Sequence, residues 1–314
     1  MKRITSLDQI SDEHRGASAA VGNFDGIHLG HQHVLDLARR AAQELEAPLA
    51  VLTFEPHPRE VFRPDDPPFR LMNAGARALR LEKLGVDLLY ELPFEPVLYG
   101  LTDDAFCQTV LREGLGLAHV TVGADFCYGK GRTGTTDTLR ASGRAHGFGV
   151  SIATLFGLEG GETVSSTAIR TALAAGRTRK AAAMLGHWHR ISGPVEHGAK
   201  RGRSLGYPTA NLSIAGLHPP RHGVYAVLVE VVTGPHAGNY NGVASLGVRP
   251  MFGENTANLE TFVFDFDGDL YGEHISVGLV EHIRDEMTFD GVTALVAQMD
   301  SDSARAREIL ADVL

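Results

Sequence analysis

Two cysteines, Cys107 and Cys127, are all that the 314 residues contain. That scarcity excludes a disulfide framework and a zinc site built on thiolates, and it suits a reducing cytoplasm. Long apolar runs are missing too. The most apolar stretch, VYAVLVEVV at 224–232, is short and carries Glu230. It falls well below the roughly 18 apolar residues of a membrane span. The opening MKRITSLDQISDEHRG has basic residues but no apolar segment behind them, so it does not read as a signal peptide. Nor is there an excess of positive charge: Lys and Arg number 29 against 38 Asp and Glu, a net −9. This balance argues against a broad nucleic-acid or membrane-surface face. The expectation is a cytoplasmic protein without nucleic-acid or membrane partners, whose anion sites are local. Nothing in the sequence fixes an oligomeric state.

What is present is an ordinary globular composition, 43% hydrophobic and 21% charged, at a length that suits two domains. From residue 17 to about 185, short apolar runs alternate with helical patterns. ASAAVGNF is followed by HQHVLDLARRAAQELE, which sets Val34, Leu35, Ala38, Ala41, Ala42 and Leu45 on one helical face. PLAVLTF (48–54), VDLLYEL, AHVTVG (118–123) and GFGVSIATL (147–155) read as strands. NAGARALRLEKLG (73–85), with Asn73 as cap and Gly85 as stop, and DDAFCQTVLREGL read as helices. Such alternation predicts a parallel sheet covered by helices, a Rossmann-like domain over 1–185. Beyond about 186 the rhythm changes. HRISGPVEHG, HGVYAVLVEVV, NYNGVASLGV, NLETFVFDF and GEHISVGLVEHI are strand-like, separated by Gly, Pro and Asn turns. They predict an antiparallel barrel or sandwich over 186–314, closed by a helix in GVTALVAQMDSDSARAREILADVL.

GNFDGIHLGH (22–31) lies between the first clear strand and the first clear helix. It reads as a metal site, a phosphate site, or a turn with exposed histidines. Zinc needs three or four converging ligands, whereas His33 falls inside the helix and no Glu sits in a zincin-like register. As a phosphate site, the stretch has glycines that allow close backbone approach and a helix start that directs N–H groups at an anion. His28 and His31 would add hydrogen-bond donors.

H-x-G-H after a glycine-rich turn resembles the nucleotidylyltransferase superfamily. The fuller GNFDGIHLGH resembles the adenylyltransferase module of the bacterial bifunctional riboflavin kinase/FAD synthetases. FEPHP (54–58), VGADFCYGKGRTG (122–134) and VSSTAIR (164–170) follow in that family's order. The resemblance implies His28 and His31 as catalytic residues, with Gly22, Phe24, Gly30, Asp125, Ser166, Thr167 and Arg170 binding the nucleotide. Taken alone, SSTAIR is equally an N-capped helix. Asp125 departs from the pattern, which has Asn there. An acid beside phosphates repels them unless it pairs with a cation or meets a base or hydroxyl.

PVEHGAKRGRSLGYPTANL (194–212) combines spaced glycines with Lys200, Arg201 and Arg203. It reads as a nucleic-acid patch, a solvated loop, or a flap around phosphates. It is not a Walker A loop. In PTAN, Thr209 offers a hydroxyl to Mg²⁺ and Asn211 an amide close by. GYPTAN resembles the riboflavin kinase module of the same family, which implies ATP binding by Gly198, Lys200, Gly202, Arg203, Gly206, Pro208, Thr209 and Asn211. NLETFVFDFDGDLYG (258–272) then supplies Glu260 where that family has its catalytic Glu. FDFDGDLYG fails as a calcium loop, since Gly268 falls fourth and Ser276 twelfth, and it reads as a hairpin turn at Asp267–Gly268. In EHIRDEMTFDG (281–291), Arg284 and Phe289 match the segment that meets the flavin. VASLGVRPMFG is assigned no role.

The resemblance implies an α/β Rossmann-like nucleotidylyltransferase domain followed by an antiparallel β-barrel riboflavin kinase domain with a C-terminal helix. The C-terminal module is expected to phosphorylate riboflavin with ATP and Mg²⁺ to FMN. The N-terminal module is expected to adenylylate FMN with a second ATP to FAD and pyrophosphate. The alternatives are a chain with one live module, or a flavin-nucleotide-binding regulator without turnover.

Overall fold

SAAV, Ser18–Val21, is buried at every residue, as a strand covered on both faces must be. In the computed structural model, which describes residues 1–154, 156–157, 163–197, 205–248 and 257–313, this strand (β2) is central to a wholly parallel sheet. The other strands are β1 (Lys2–Ile4), β3 (Leu49–Glu55), β4 (Leu88–Pro93), β5 (His119–Gly123) and β6 (Gly149–Ala153), in the order β1-β4-β3-β2-β5-β6. The chain runs outward from β2 through β3 and β4, then returns to β5 on its other side. The strand order reverses beside β2, and GNFDGIHLGH leaves its carboxyl end there, the position at which such sheets take ligands.

Helix α1 (Leu29–Glu44) buries Val34, Leu35, Ala38, Ala41 and Ala42 as its periodicity predicts. Leu45 is the exception: it lies past the last turn and is 49% exposed. After α2 (Pro58–Phe62) comes α3 (Ala74–Lys83), where the Asn73 side chain accepts the Ala76 N–H at 2.8 Å. Gly85, at φ +73°, turns the chain out of this helix through a left-handed conformation that favours glycine. Then follow α4 (Pro96–Tyr99) and α5 (Asp103–Ala105), which continues as a π-helix over Phe106–Gly114, so the helix expected in DDAFCQTVLREGL is present with wider winding. Helix α6 (Thr136–His146) was not legible, since it buries only Leu139, Ser142 and Gly143 and so has no apolar stripe.

Contacts group residues 1–66 and 77–164 into one unit, and 67–76 and 165–314 into a second. The second unit holds α7 (Ser166–Ala174), α8 (Thr178–Leu185) and six antiparallel strands: β7 (His189–Pro194), β8 (Thr209–Ser213), β9 (Gly223–Val231), β10 (Gly238–Val248), β11 (Ala257–Val263) and β12 (His274–Arg284). Their order is β7-β12-β9-β10-β11-β8, and a bridge between Glu196 and Asn211 brings the chain beyond β7 back to β8. The result is the expected barrel. Period-two alternation puts Tyr225, Val227, Val229 and Val231 of β9 inside, together with Leu212, Leu246, Leu259, Val277 and Leu279. On the outer face, Val224, Ala226, Val243 and Val280 pack against Ala306, Ile309 and Leu310 of the closing helix, α9 (Val292–Ala311). The turn after β11 falls at Phe264–Asp265, with Asp265 at φ 54°, rather than at Asp267–Gly268, and it makes no hairpin. β11 pairs with β10 and β8, whereas β12 pairs with β7 and β9, so the two strands it joins are not neighbours.

His189, at the head of β7, is buried, and burial followed by the nearby His187 and His218 pulls its pKa down to about 3. An unfolded chain titrates this group near 6.5. Below that value the unfolded state takes up a proton that the folded state refuses. This contribution to stability is therefore complete above about pH 6.5 and is lost as pH falls toward about 3. Urea denaturation at falling pH should show the loss, with a slope of up to about 1.4 kcal/mol per pH unit from one proton. His189→Gln should flatten it; an unchanged slope would exclude His189 as the source.

Candidate functional site

The turn after β2 is held from below. Gly22 N–H donates to the Leu52 carbonyl at 3.1 Å. The Asn23 carbonyl accepts from the Thr53 hydroxyl at 3.3 Å and Arg77 Nη1 at 3.5 Å. Phe24 (φ 51°), Gly26 (φ 88°) and Ile27 (φ 43°) are all left-handed, and both non-glycine residues are fully buried. Such backbone persists only where its surroundings fix it. It delivers His28 as the N-cap of α1, where His28 Nδ1 accepts the His31 N–H at 3.2 Å. With Nδ1 accepting, the neutral ring carries its proton on Nε2, a donor for an anion. The His31 ring stacks on His28 at 3.7 Å and 13°, and its Nδ1 is buried without a hydrogen-bond partner. Burial first, then the neighbouring His28, holds the His31 pKa well below the usual imidazole range. Gly30 keeps this pair in place, because a Cβ there would stand 3.1 Å from His28 Cε1. His33 points elsewhere, with its ring 5.9 Å from Phe156. Among the described residues no group of three or more His, Cys, Asp or Glu could hold a metal.

Two features of this edge escape sequence reading. Arg77, 1% exposed, reaches Glu55 at 2.7 Å and Glu91 at 2.6 Å at the ends of β3 and β4, and Arg3 also pairs with Glu91. No spacing rule links those four positions. Phe54, Phe62, Phe94 and Tyr99 form a ring cluster with centroids 5.3–5.7 Å apart, and Phe62 is 62% exposed. Asp125 is exposed after β5, beside the stacked rings of Phe126 and Tyr128. In the second unit, Ser165 caps α7 by accepting the Ala168 N–H at 3.2 Å. Ser166, Thr167 and Arg170 share its first turns, and Arg170 Nη2 donates to Thr167 Oγ1 at 3.3 Å.

The outer face of β8–β11 and the first turns of α9 enclose a cavity of about 290 Å³. Four expected site residues line it: Thr209, Glu260, Arg284 and Phe289. Alternation along β11 buries Leu259, Thr261 and Val263 in the barrel and turns Asn258, Glu260 and Phe262 to the cavity. Asn211 stands opposite Glu260 in register; its amide donates to the Thr209 carbonyl at 3.3 Å and accepts from Asn258 at 3.0 Å. The Arg284 guanidinium lies 5.8 Å from the Phe289 ring. Sequence reading missed Asn258, Met287, Met299 and Asp302, which also line the cavity. Gly206, at φ +82°, makes the left-handed turn before Pro208. Gly198, Lys200, Gly202 and Arg203 lie outside the described residues.

A family model for FAD synthetase matches residues 10–168, and one for riboflavin kinase matches residues 185–310. Proteins described as bifunctional riboflavin kinase/FMN adenylyltransferase are similar along the whole chain. That of Pseudomonas fluorescens is 40% identical over 99% of this chain and 98% of its own. That of Escherichia coli (strain K12) is 37% identical over 98% and 97%. A crystal structure from Streptococcus pneumoniae, described as a macrolide-efflux protein, is 32% identical, with a TM-score of 0.82 over 98% of both chains. Among the described residues here, no helix is long and apolar enough to cross a membrane. With both halves matched in order and relatives covered almost end to end, the chain belongs to the bifunctional riboflavin kinase/FMN adenylyltransferase family, its FAD synthetase half N-terminal and its riboflavin kinase half C-terminal.

Proposed function

We propose that residues 186–314 phosphorylate riboflavin with ATP to FMN, and that residues 1–185 adenylylate FMN with a second ATP to FAD. The observation that carries this reading is the cavity in which Thr209, Glu260, Arg284 and Phe289 meet, drawn from three separate stretches of chain. Phosphoryl transfer depends mainly on positioning and charge neutralisation. Glu260 takes the proton of the ribityl hydroxyl as that oxygen bonds to the γ-phosphorus; the bond from this phosphorus to the bridging oxygen breaks, and ADP leaves. Phe289, Met287 and Met299 offer the flavin ring apolar walls. Mg²⁺, when bound, neutralises the phosphate charge. It usually reaches a protein through one or two oxygens while keeping the nucleotide's. The Thr209 hydroxyl and the Asn211 amide oxygen fit that role, and a dedicated acidic cage is not needed. Gly206 and Pro208 place Thr209, and Gly198, Lys200, Gly202 and Arg203 contribute to binding the ATP phosphates.

In the N-terminal half, a phosphate oxygen of FMN attacks the α-phosphorus of ATP and pyrophosphate leaves. No protein nucleophile is required, because the attacking group is already an anion. His28 and His31 donate to the oxygens that gain charge. Gly22, Phe24 and Gly30 shape the turn that presents them. Ser166, Thr167 and Arg170 grip the leaving phosphates, Asp125 contacts a base or hydroxyl, and the Phe62 cluster gives the flavin a stacking face. Cys107 and Cys127 are both free, in keeping with a cytoplasmic enzyme, whose partners are small molecules rather than nucleic acid or membrane.

The test is an incubation with riboflavin, ATP and Mg²⁺, with the flavins separated by chromatography. FMN should appear first and FAD after it. Neither product would sink the reading, and FMN alone would leave only the kinase half standing.

A further inference from the structure

Helix α9 forms one wall of the kinase cavity through Leu295, Met299 and Asp302, yet its apolar grip on the barrel lies further along, at Ala306, Ile309 and Leu310. The cavity-facing turns are fixed by polar contacts instead. Asp302 is 4% exposed, in the middle of a helix, where an unpaired carboxylate would be strongly disfavoured. It accepts from Arg284 Nε at 3.0 Å, from Arg284 Nη2 at 2.6 Å and from Gln298 Nε2 at 2.9 Å. Arg284 Nη1 in turn donates to the Asp285 carbonyl at 2.9 Å. Each of the three guanidinium nitrogens thus donates to this corner of the protein. On the other rim, the Tyr207 hydroxyl donates to Asp300. Tyr207 stands two residues before Thr209. Two acids of one helix therefore reach both sides of the cavity, one toward the flavin-side segment 284–289 and one toward the segment that carries Thr209.

We propose that Asp302 is a positioning residue for phosphorylation of riboflavin. It acts through Arg284 to fix segment 284–289 as the wall against which the flavin ring binds, while Asp300 holds the opposite rim through Tyr207. This rests on the reading of the cavity as the riboflavin kinase site. Arg284 then serves the flavin by fixing the segment that carries Met287 and Phe289, whose ring lies 5.8 Å from its guanidinium. Two-pronged geometry makes Asp302 specific for arginine. Removing the carboxylate leaves the half-buried Arg284 guanidinium without its charged partner, so the wall is released. The groups proposed for the chemistry, Glu260 and Thr209, come from β11 and β8 and stay where they are. Loss of Asp302 should therefore be felt in riboflavin binding and little in turnover.

The experiment is steady-state FMN formation by the full-length chain, with FAD formation from added FMN measured beside it. Asp302→Asn should raise the riboflavin KM about tenfold or more while changing kcat and the ATP KM by less than about threefold. Asp302→Glu, which keeps the charge, should recover part of the loss. FAD formation from added FMN should be unchanged. A merely structural role would lower kcat by reducing the folded fraction and leave the riboflavin KM alone; that result would overturn the proposal. If Asp302→Asn does not fold, Asp302→Glu decides it by the same split, since it keeps the charge but displaces the two-pronged contact. A wild-type chain that makes no FMN would bring down the kinase reading itself, whereas an active wild type with an unmoved riboflavin KM in both variants would bring down only the role of Asp302.

Discussion

Glu260→Gln should lower FMN formation by about 10²–10⁴-fold, the range over which a positioned general base acts, and leave FAD formation from supplied FMN intact. The substitution keeps the shape and removes the basic oxygen. Glu260 lies on β11 between Leu259 and Thr261, which face the barrel interior and anchor the strand. Its cavity-facing side chain is half-buried, and cross-strand register holds it opposite Asn211. The loss should fall on kcat, with the riboflavin and ATP KM values near wild type, because a group that acts on the proton in flight contributes little to ground-state binding. This is the reverse of the split expected for Asp302→Asn, and the two variants together separate chemistry from positioning. FMN formation within about tenfold of wild type in folded Glu260→Gln would show that the ribityl hydroxyl needs no carboxylate at this position.

What the sequence revealed, and what it hid, follows from the range of the interactions involved. The buried face of α1, the Asn73 cap and the Gly85 stop are local, and each appeared where its pattern placed it, up to Leu45 at the frayed end. The two architectures were legible from alternation of strands and helices in one half and of strands alone in the other. β8 is hidden because a five-residue strand, TANLS, carries little periodicity of its own. β1 shows only one buried residue, Ile4, and its place at the sheet edge depends on pairing with Leu88–Tyr90. The same limit applies to the site. Motifs pointed to Thr209, Glu260, Arg284 and Phe289, and one cavity collects them. Asp302 had no motif; its meaning comes from Arg284, eighteen residues earlier, through a contact that only the docking of α9 creates. Arg77 is similar, since Glu55 and Glu91 reach it from two different strands.

The second large effect concerns the stacked histidines. His28→Asn and His31→Ala should each lower FAD formation by about 10²–10³-fold, as expected when a preorganised donor to a developing oxyanion is removed, and should leave FMN formation unchanged. Asparagine is the informative choice at 28. His28 caps α1 through Nδ1, and a short amide oxygen can accept the same His31 N–H, so the helix start survives while the Nε2 donor is lost. His28→Ala removes both and should add a stability loss of about 1 kcal/mol, visible in thermal melting but absent from His28→Asn. The two rings lie 3.7 Å apart, close enough that they act as one unit, and the double variant should therefore lose much less than the product of the single losses. His31 also carries a pH signature. Its pKa is held far below the imidazole norm, so the ring stays neutral through the range where free histidine titrates. It should contribute no break to the rate of FAD formation between about pH 7 and pH 6. If His28→Asn and His31→Ala both melted like wild type and still formed FAD at the wild-type rate, the turn after β2 would be a scaffold and the donors would have to be sought elsewhere along the sheet's carboxyl edge.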